Sequence, residues 1–270
     1  MKDKLKVLGI IPARGGSKTV PKKNLRFLLG KPVIAYTILA AKESKYIDRL
    51  IVSTEDREIA SVSESYGVEV IKRPRELSND KSPIENALRH AVTYLEKKEN
   101  YYPDIVALMQ ANVPVRKKGT IDRVISKLTN TKADSVVTIY EISQRPEWMK
   151  TIQKNRLKPF MPPKKYRRQD LPSLYLLDGA IASIRTEVLM DTGRPSIAHG
   201  YLGENIGFII EEPRYSIEID SQWDLLLAGF VLSAITEIKS SLIRLALPEQ
   251  PQVIFSLISF ISSLIKEQNL

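Results

Sequence analysis

Two groups of charged residues, far apart in the sequence, have the clearest chemical potential. The first is a loop of small residues and cations after an apolar run, comprising Arg14, Gly15, Gly16, Ser17, Lys18 and Lys23. Successive backbone N–H groups in such a loop can form a concavity for anions, and neighbouring cations add permanent charge. The loop is therefore predicted to bind a chain of phosphates, such as that of a nucleoside triphosphate.

The second group is a pair of carboxylates, Glu218 and Asp220, in a segment that alternates apolar and polar residues. Residues at i and i+2 of a strand project to the same face, and carboxylate oxygens are preferred ligands of hard cations. The pair is therefore a candidate site for a hard cation. If both groups belong to one site, the fold must bring residue 220 next to residue 14.

Short apolar runs alternate with helical patterns, which predicts an α/β fold with a mostly parallel open sheet flanked by helices. Strands are predicted at residues 5–11, 49–53, 68–71, 104–110, 135–142, 179–185, 208–211 and 216–219. Helices are predicted at residues 32–43, 56–66, 120–128 and 222–243. Another helix, ending near residue 97, is predicted to start at a capping box formed by Ser82 and Glu85. Ligands of such open sheets bind at the carboxyl ends of the strands.

The 270-residue chain has a net charge of +10 and no cysteine, which excludes disulfides and thiolate metal sites. Residues 145–170 contain nine cations against two acids. This clustering of the basic charge in one segment argues against a nucleic-acid binder. The segment is predicted to form an inserted excursion at about residues 143–178 that supplies cations for a carboxylate substrate, forms a dimerisation arm, or does both.

The two ends of the chain lead to further expectations. The N-terminal apolar run is short and lacks a cleavage site, so a cytoplasmic protein is predicted. Residues 1–246 are predicted to form the main domain, and residues 247–270 a linker plus an apolar helix that is too short to span a bilayer. That helix is expected to pack on the body or on a partner subunit; contact with a membrane surface and disorder are the alternatives.

One fifteen-residue stretch, IIPARGGSKTVPKKN at residues 10–24, closely resembles the signature of the N-acylneuraminate cytidylyltransferases, the CMP-sialic acid synthetase family. Later segments are similar to that family in the same order, namely KPVIAYTI, IVSTEDREIA, RPRELSND, RRQDLPSLYLLDGAI and YSIEIDSQWDLLLA. The resemblance covers about residues 5–230. It implies a nucleotide-diphospho-sugar transferase (GT-A-like) fold. It also implies transfer of CMP from CTP to the anomeric hydroxyl of a nonulosonic acid, with release of pyrophosphate.

The resemblance also implies roles for individual residues on the nucleotide side. Arg14, Lys18 and Asp220 would be catalytic, with Asp220 and Glu218 as the Mg²⁺ ligands. The other residues expected to contact CTP are Gly15, Gly16, Ser17 and Lys23 at the phosphates, Asn24 near the ribose, and Arg73 and Ser82 at the base.

On the sugar side, the resemblance implies that Gln110 faces the substrate. Arg167 and Gln169 belong to a segment that in this family reaches towards the acidic sugar, often across a dimer interface. The expected partners are therefore CTP, an acidic nine-carbon or similar 2-keto sugar, and a second copy of the chain, without nucleic acid.

Three positions depart from the family pattern. Asn112 lies in QANVPVR where these enzymes read QPTSPLR, Asp178 replaces an asparagine, and Glu218 replaces an aspartate. All three are expected on the sugar side, so they favour an altered sugar, such as a legionaminic, pseudaminic or Kdo-like acid. The alternatives are a CMP-Kdo-type synthetase and a degenerate relative that binds the nucleotide or sugar without catalysis.

Overall fold

The structure, a computed structural model, describes residues 5–79, 82–161, 167–193 and 198–245. The strands in these ranges are β1 Val7–Pro12, β2 Phe27–Leu28, β3 Lys31–Pro32, β4 Arg49–Thr54, β5 Glu69–Lys72, β6 Ile105–Leu108, β7 Ser135–Glu141, β8 Lys150–Gln153, β9 Arg156–Pro159, β10 Tyr175–Arg185 and β11 Ile206–Glu211. The α-helices are α1 Val33–Lys42, α2 Arg57–Ser65, α3 Ile84–Glu99, α4 Thr120–Thr129, α5 Thr186–Met190 and α6 Gln222–Leu245.

Seven strands form one sheet in the order β11-β7-β10-β6-β1-β4-β5. Within it, β10 runs antiparallel to both of its neighbours, and the other pairs are parallel. The prediction of a mostly parallel open sheet flanked by helices is thus confirmed. The short pairs β2–β3 and β8–β9 lie outside this sheet.

The central strand β1 shows why its residues form a covered sheet. Val7 and Ile11 pack into one core cluster with α1, α2 and α4, whereas Leu8 and Ile10 pack into a second cluster with α3 and α5. Successive side chains of a strand point to opposite faces, so a continuous apolar run suits a strand with helices on both sides.

The strand order creates a crevice beside β1. The chain passes from β1 to β4 and β5 on one side, and then crosses to β6 on the other side. Loops at the carboxyl ends of strands diverge where the order reverses, and ligands bind in that opening. The loop after β1, Arg73 after β5 and Gln110 after β6 all lie at this end of the sheet.

The predicted capping box does not form. Helix α3 begins after Pro83, which occupies the N-cap position, and no side chain caps this end. In a capping box the acidic residue accepts a hydrogen bond from the N-cap N–H, which proline lacks. The Ser82 hydroxyl is therefore not used by the helix.

The strand predicted at residues 216–219 is also absent from the described structure. This segment follows a 3₁₀ turn, Pro213–Tyr215, and lies outside the sheet. Ile217 and Ile219 are buried, at 8% and 0% exposure, so the segment has a strand-like alternation without strand pairing. Strand β10 occupies the ladder positions between β6 and β7.

The predicted excursion contains the antiparallel hairpin β8–β9 and two 3₁₀ turns, Pro146–Trp148 and Arg168–Asp170. Its exposed apolar side chains include Met149, Ile152, Leu157, Phe160 and Met161. Such a surface is compatible with the predicted dimerisation arm, which stays a prediction.

The chain divides into two compact units, residues 1–229 and 230–270. The described part of the second unit is helical, residues 230–245. The predicted linker and apolar helix at residues 247–270 lie outside the described residues. In the described ranges, no helix is both long enough and apolar enough to cross a membrane.

Candidate active site

A cavity of about 350 Å³ opens at the carboxyl end of the sheet and is called the polar cavity below. Among its lining residues are nine that the sequence singled out, namely Arg14, Lys23, Asn24, Arg73, Ser82, Gln110, Asn112, Glu218 and Asp220. They come from the loop after β1, the segment between β5 and α3, the loop after β6 and the segment before α6. The fold therefore brings together the two charged groups that are far apart in the sequence.

An ion pair joins these groups directly. The Lys23 Nζ lies 2.8 Å from the Asp220 Oδ1, across 197 positions of sequence. The Asp220 side chain is 64% exposed, and an ion pair at such a site contributes little net stability. Either residue can therefore leave this ion pair and contact a charged ligand instead, at a small cost in free energy.

Three polar atoms around the polar cavity lack partners in the described part of the chain. The Asn24 Oδ1, the Arg73 Nε and the Ser82 Oγ are buried without a hydrogen bond. The other end of the Asn24 amide is used, since its Nδ2 donates to the Arg14 carbonyl at 3.2 Å. Each unsatisfied buried group costs about 1–3 kcal/mol. Their concentration here favours a polar ligand that supplies the missing hydrogen bonds.

Replacing Ser82 with alanine separates ligand binding from folding. We expect CTP affinity to fall about five- to tenfold, since a hydrogen bond is worth roughly 1 kcal/mol or somewhat more. The free energy of unfolding should stay the same or rise slightly, because the hydroxyl has no described partner in the empty protein. Calorimetric titration and urea unfolding measure the two quantities. A loss of stability with unchanged CTP affinity would contradict the assignment.

An acidic turn after β4 connects the glycine loop to Arg73 through Glu55. The Gly15 N–H donates to the Glu55 Oε1 at 2.8 Å, and the Arg73 Nη2 lies 3.2 Å from the Glu55 Oε2. Burial lowers the pKa of Arg73, and Glu55 opposes that shift. The sequence feature that could have indicated this contact is the pair of acids directly after β4, because β4 is the parallel neighbour of β1.

Glu218 is held by the amide of Asn112. The Asn112 Nδ2 donates to the Glu218 Oε1 at 3.1 Å and to the Ile219 carbonyl at 3.3 Å. Burial raises the pKa of Glu218, the hydrogen bond from Asn112 lowers it, and the nearby Asp220 carboxylate raises it again. Because both raising causes oppose its ionised form, this carboxylate favours a cation in the cavity.

The raised pKa predicts a stability change for Glu218→Gln. A carboxyl whose pKa is higher in the folded state than its ordinary 4.5 stabilises the fold below that value. That contribution is lost as the pH rises through the folded pKa. The glutamine variant, assayed without divalent cations, should therefore melt above the wild type at pH 8 and equally near pH 4. Each kcal/mol corresponds to about 2–4 °C in Tm at this size. A lower Tm at pH 8 would contradict this reasoning.

Asp178, expected to contact the sugar, is only 2% exposed. Its Oδ1 accepts hydrogen bonds from the Thr138 hydroxyl and, at 2.9 Å, from the Ala180 N–H. Its Oδ2 accepts from the Ser216 hydroxyl at 3.1 Å. Burial raises the pKa of Asp178, and these three hydrogen bonds oppose the shift. The carboxylate is thus largely satisfied by the protein itself.

Arg116, which is half-buried, is another residue whose position the sequence did not predict. Its guanidinium donates to the Gln110 carbonyl at 2.8 Å, the Ala180 carbonyl at 3.0 Å and the Thr37 hydroxyl at 2.7 Å. Burial lowers the pKa of Arg116 to about 10, and the Asp178 charge opposes this shift. Arg116 therefore fixes the backbone that carries Gln110.

A second cavity of about 390 Å³, the apolar cavity, shares Gln110 and Glu218 with the polar cavity. Its other lining residues are mostly aliphatic or aromatic, namely Leu108, Val137, Thr138, Tyr175, Leu176, Leu177, Gly179, Ile181, Ala182, His199, Tyr201 and Leu202. Gly179 has a φ of +65°, and a Cβ there would lie 2.7 Å from the Gln110 Nε2. Only glycine allows Gln110 to occupy this junction without strain.

The remaining predicted residues lie outside these two linings. Gly15 and Gly16 border a neighbouring cavity of about 660 Å³ that includes Arg73. The other four do not line the polar or the apolar cavity as described: Ser17 is half-buried and Lys18 exposed on the glycine loop, and Arg167 and Gln169 are exposed near the turn Arg168–Asp170. Arg167 pairs with Asp170 at 3.2 Å. Their roles stay predictions.

The carboxylates at the polar cavity fit a magnesium ion only when a bound ligand supplies further coordinating oxygens. In the described ranges, no cluster of three or more His, Cys, Asp or Glu side chains could hold a metal. Sites that handle phosphates commonly bind Mg²⁺ through one or two carboxylates and the substrate phosphates. Glu218 and Asp220, both on the polar cavity, satisfy that requirement.

Comparisons with known proteins identify relatives of this chain. The chain is 35% identical over 225 residues to the CMP-N,N'-diacetyllegionaminic acid synthase of Legionella pneumophila subsp. pneumophila, covering 82% of this chain and 93% of that protein. It is 30% identical over 231 residues to an N-acylneuraminate cytidylyltransferase of Escherichia coli O18:K1:H7, covering 83% of this chain and 51% of that protein. The chain thus spans only about half the length of the second relative.

A solved structure of CMP:2-keto-3-deoxy-manno-octonic acid synthetase complexed with CTP has a similar fold. Its TM-score is 0.65 at 18% identity, covering 85% of this chain and 99% of that one. Residues 8–177 match the family described as Cytidylyltransferase. The chain therefore belongs to the cytidylyltransferase family, in the branch whose named members are synthases and cytidylyltransferases for legionaminic, pseudaminic and N-acylneuraminic acids.

Proposed function

We propose that this chain transfers CMP from CTP to the anomeric hydroxyl of a nonulosonic acid, with release of pyrophosphate. The observation that carries the proposal is the polar cavity, where the loop after β1 meets Asp220 through the Lys23 ion pair. Family membership supplies the reaction class, and the relatives' names supply the class of sugar.

The chain's own residues suit a bound nucleotide. Arg14 and Lys23 offer positive charge to the phosphates, with the glycine loop and Lys18 beside them. Cations placed where negative charge develops on the leaving pyrophosphate stabilise the transition state. The unpartnered atoms of Asn24, Arg73 and Ser82 offer one acceptor, one donor and one hydroxyl to the ribose and base.

Glu218 and Asp220 would hold Mg²⁺ together with the phosphates. When bound, that ion supplies charge neutralisation at the phosphate under attack. Lys23, which pairs with Asp220 in the structure, would then contact the phosphates instead. Asn112 would orient Glu218 for this role through its hydrogen bond to the Glu218 Oε1.

The apolar cavity is the proposed sugar site. It begins at Gln110 and Glu218, so a sugar there presents its anomeric carbon towards the nucleotide. No hydrogen bond to the Gln110 side-chain amide is made by the described residues, which leaves it available for the sugar's polar groups. The aliphatic lining suits acyl groups such as the two acetyl groups in the name of the Legionella relative's sugar.

The exposed apolar hairpin supports the proposal of a homodimer, in which Arg167 and Gln169 of one copy approach the sugar of the other. An isolated copy leaves both residues away from the described cavity linings. We also propose that the enzyme acts in the cytoplasm, where CTP is available.

Pyrophosphate release from CTP and Mg²⁺ tests the function directly. The assay adds, one at a time, an N,N'-diacetylated legionaminic acid, N-acetylneuraminic acid, a pseudaminic acid and Kdo. We expect release that depends on a nonulosonic acid, with the CMP-sugar identified by mass spectrometry. Turnover with Kdo alone would favour the Kdo-type alternative, and no turnover with any acid would overturn the proposal.

A further inference from the structure

Two of the three residues that depart from the family pattern, Asn112 and Asp178, contact the segment that carries the third, Glu218. That segment, residues 216–220, is called the acidic arm because it carries Glu218 and Asp220. The acidic arm is not a strand of the sheet, so no ladder of backbone hydrogen bonds fixes its position. Its placement must come from its apolar side chains and from individual hydrogen bonds.

Asp178 binds the start of the acidic arm. The Ser216 hydroxyl donates to the Asp178 Oδ2 at 3.1 Å. The carboxylate is itself fixed to the sheet, because its Oδ1 accepts from the Thr138 hydroxyl of β7 and from the Ala180 N–H of β10. Asp178 therefore connects the acidic arm to two strands of the main sheet.

Asn112 binds the middle of the acidic arm at three points. Its carbonyl accepts from the Ile219 N–H at 2.9 Å, and its side-chain amide donates to the Ile219 carbonyl at 3.3 Å. The same amide donates to the Glu218 Oε1 at 3.1 Å. A carboxylate at residue 112 could not make these donations, since an ionised acid only accepts hydrogen bonds.

We propose that Asn112 and Asp178 are positioning residues that hold the acidic arm against the sheet, so that Glu218 and Asp220 face the polar cavity. The inference rests on the proposed function and assigns these two residues a role other than reading the sugar. Asp178 has only 2% exposure and three protein donors, so it has little capacity left for a substrate. Groups that orient metal-binding side chains typically affect affinity or activity 10- to 100-fold.

The first test is amide hydrogen exchange at Ile219, whose N–H is bonded to the Asn112 carbonyl. Ser216→Ala removes one contact and leaves Asp178 in place. We expect exchange at Ile219 to become at least fivefold faster, while exchange in β1 stays unchanged. Ser173→Ala is the matched control, because that hydroxyl donates to the Glu141 carboxylate away from the acidic arm. Unchanged exchange in Ser216→Ala would overturn the inference, whether or not the protein is active.

The second test separates positioning from sugar recognition by steady-state kinetics. In Ser216→Ala and Asn112→Ala, kcat should fall about tenfold, while the KM for the sugar stays within twofold of wild type. Asp178→Asn should restore most of kcat relative to Asp178→Ala, because an amide still accepts from Ala180 and can donate to Ser216. A raised sugar KM with unchanged kcat would overturn the inference in favour of sugar contact.

The two proposals fail in different ways. If the wild-type protein turns over no sugar acid, the proposed function fails, while the exchange rate at Ile219 still decides whether these contacts hold the acidic arm. If Asp178→Ala does not fold, Ser216→Ala and Asp178→Asn still provide the comparison, because each leaves the Thr138 and Ala180 contacts available.

Discussion

Asp220→Asn is expected to lower kcat for sugar-dependent pyrophosphate release by about 10²–10³-fold. The Asp220 carboxylate lies on the polar cavity and pairs with Lys23 at 2.8 Å, so an isosteric amide removes its charge and leaves the shape nearly unchanged. A loss of this size corresponds to roughly 3–4 kcal/mol of transition-state stabilisation. Stopped assays of pyrophosphate at saturating CTP and sugar measure the change.

The matched control for Asp220→Asn is Glu212→Gln. Glu212 is an exposed acid that pairs with Lys117 at 3.5 Å and with Arg214 at 2.6 Å, outside both cavity linings as described. Its loss should change kcat by less than twofold, because exposed ion pairs contribute little. Binding of CTP without divalent cations should weaken little in Asp220→Asn, since Lys23 keeps its charge. Near wild-type turnover in Asp220→Asn would refute a role for this carboxylate in the reaction.

The elements that were predictable from sequence share a physical cause. The positions of strand β1 and helix α4 follow from their apolar patterns, which the packing of the sheet does not override. Their predicted and observed bounds differ by at most two residues. Helix α2 is preceded by the N-cap residue Asp56, whose Oδ1 accepts hydrogen bonds from the Glu58 and Ile59 N–H groups. Local chemistry determined these elements, so a local pattern was enough.

The parts that escaped prediction depend on contacts between distant residues. The alternating pattern at residues 216–219 reflects the burial of Ile217 and Ile219. Side chains of an extended segment alternate between buried and exposed positions whether or not the segment pairs with a strand. The bond from Gly15 to Glu55 joins loops 40 positions apart, and the Asp178 carboxylate is satisfied from β7, β10 and the acidic arm. Such partners become visible only once the order of the strands is known.

The same reasoning explains why the resemblance pointed to residues that line one cavity but left the departures from the family pattern open. Arg14, Lys23 and Asp220 match the family pattern, and all three line the polar cavity. Asn112 and Asp178 differ from it, and similarity alone cannot say whether a changed residue faces the ligand or the protein. Both side chains make hydrogen bonds within the protein, and these contacts support the positioning role proposed for them.

Gly15→Ala should weaken CTP binding at least tenfold and destabilise the protein by about 1–3 kcal/mol. A Cβ on Gly15 would lie 2.2 Å from the Asp56 Oδ2 and 2.9 Å from the Asp56 Cβ. Asp56 cannot move aside freely, because its Oδ1 caps α2 at 2.8 and 3.0 Å. The glycine loop must therefore shift, which breaks the bond from the Gly15 N–H to Glu55 and displaces the neighbouring Arg14.

Gly16→Ala provides the comparison within the same loop. A Cβ at Gly16 meets nothing within 4 Å, and alanine keeps the N–H that a phosphate would contact. Its loss of CTP affinity should therefore be at least fivefold smaller than that of Gly15→Ala, with Tm unchanged. Calorimetric titration with CTP and thermal unfolding of both variants measure the difference. Equal losses of CTP affinity would mean that the contact with Asp56 does not determine the conformation of the glycine loop. They would also mean that the phosphates approach both glycines equally closely.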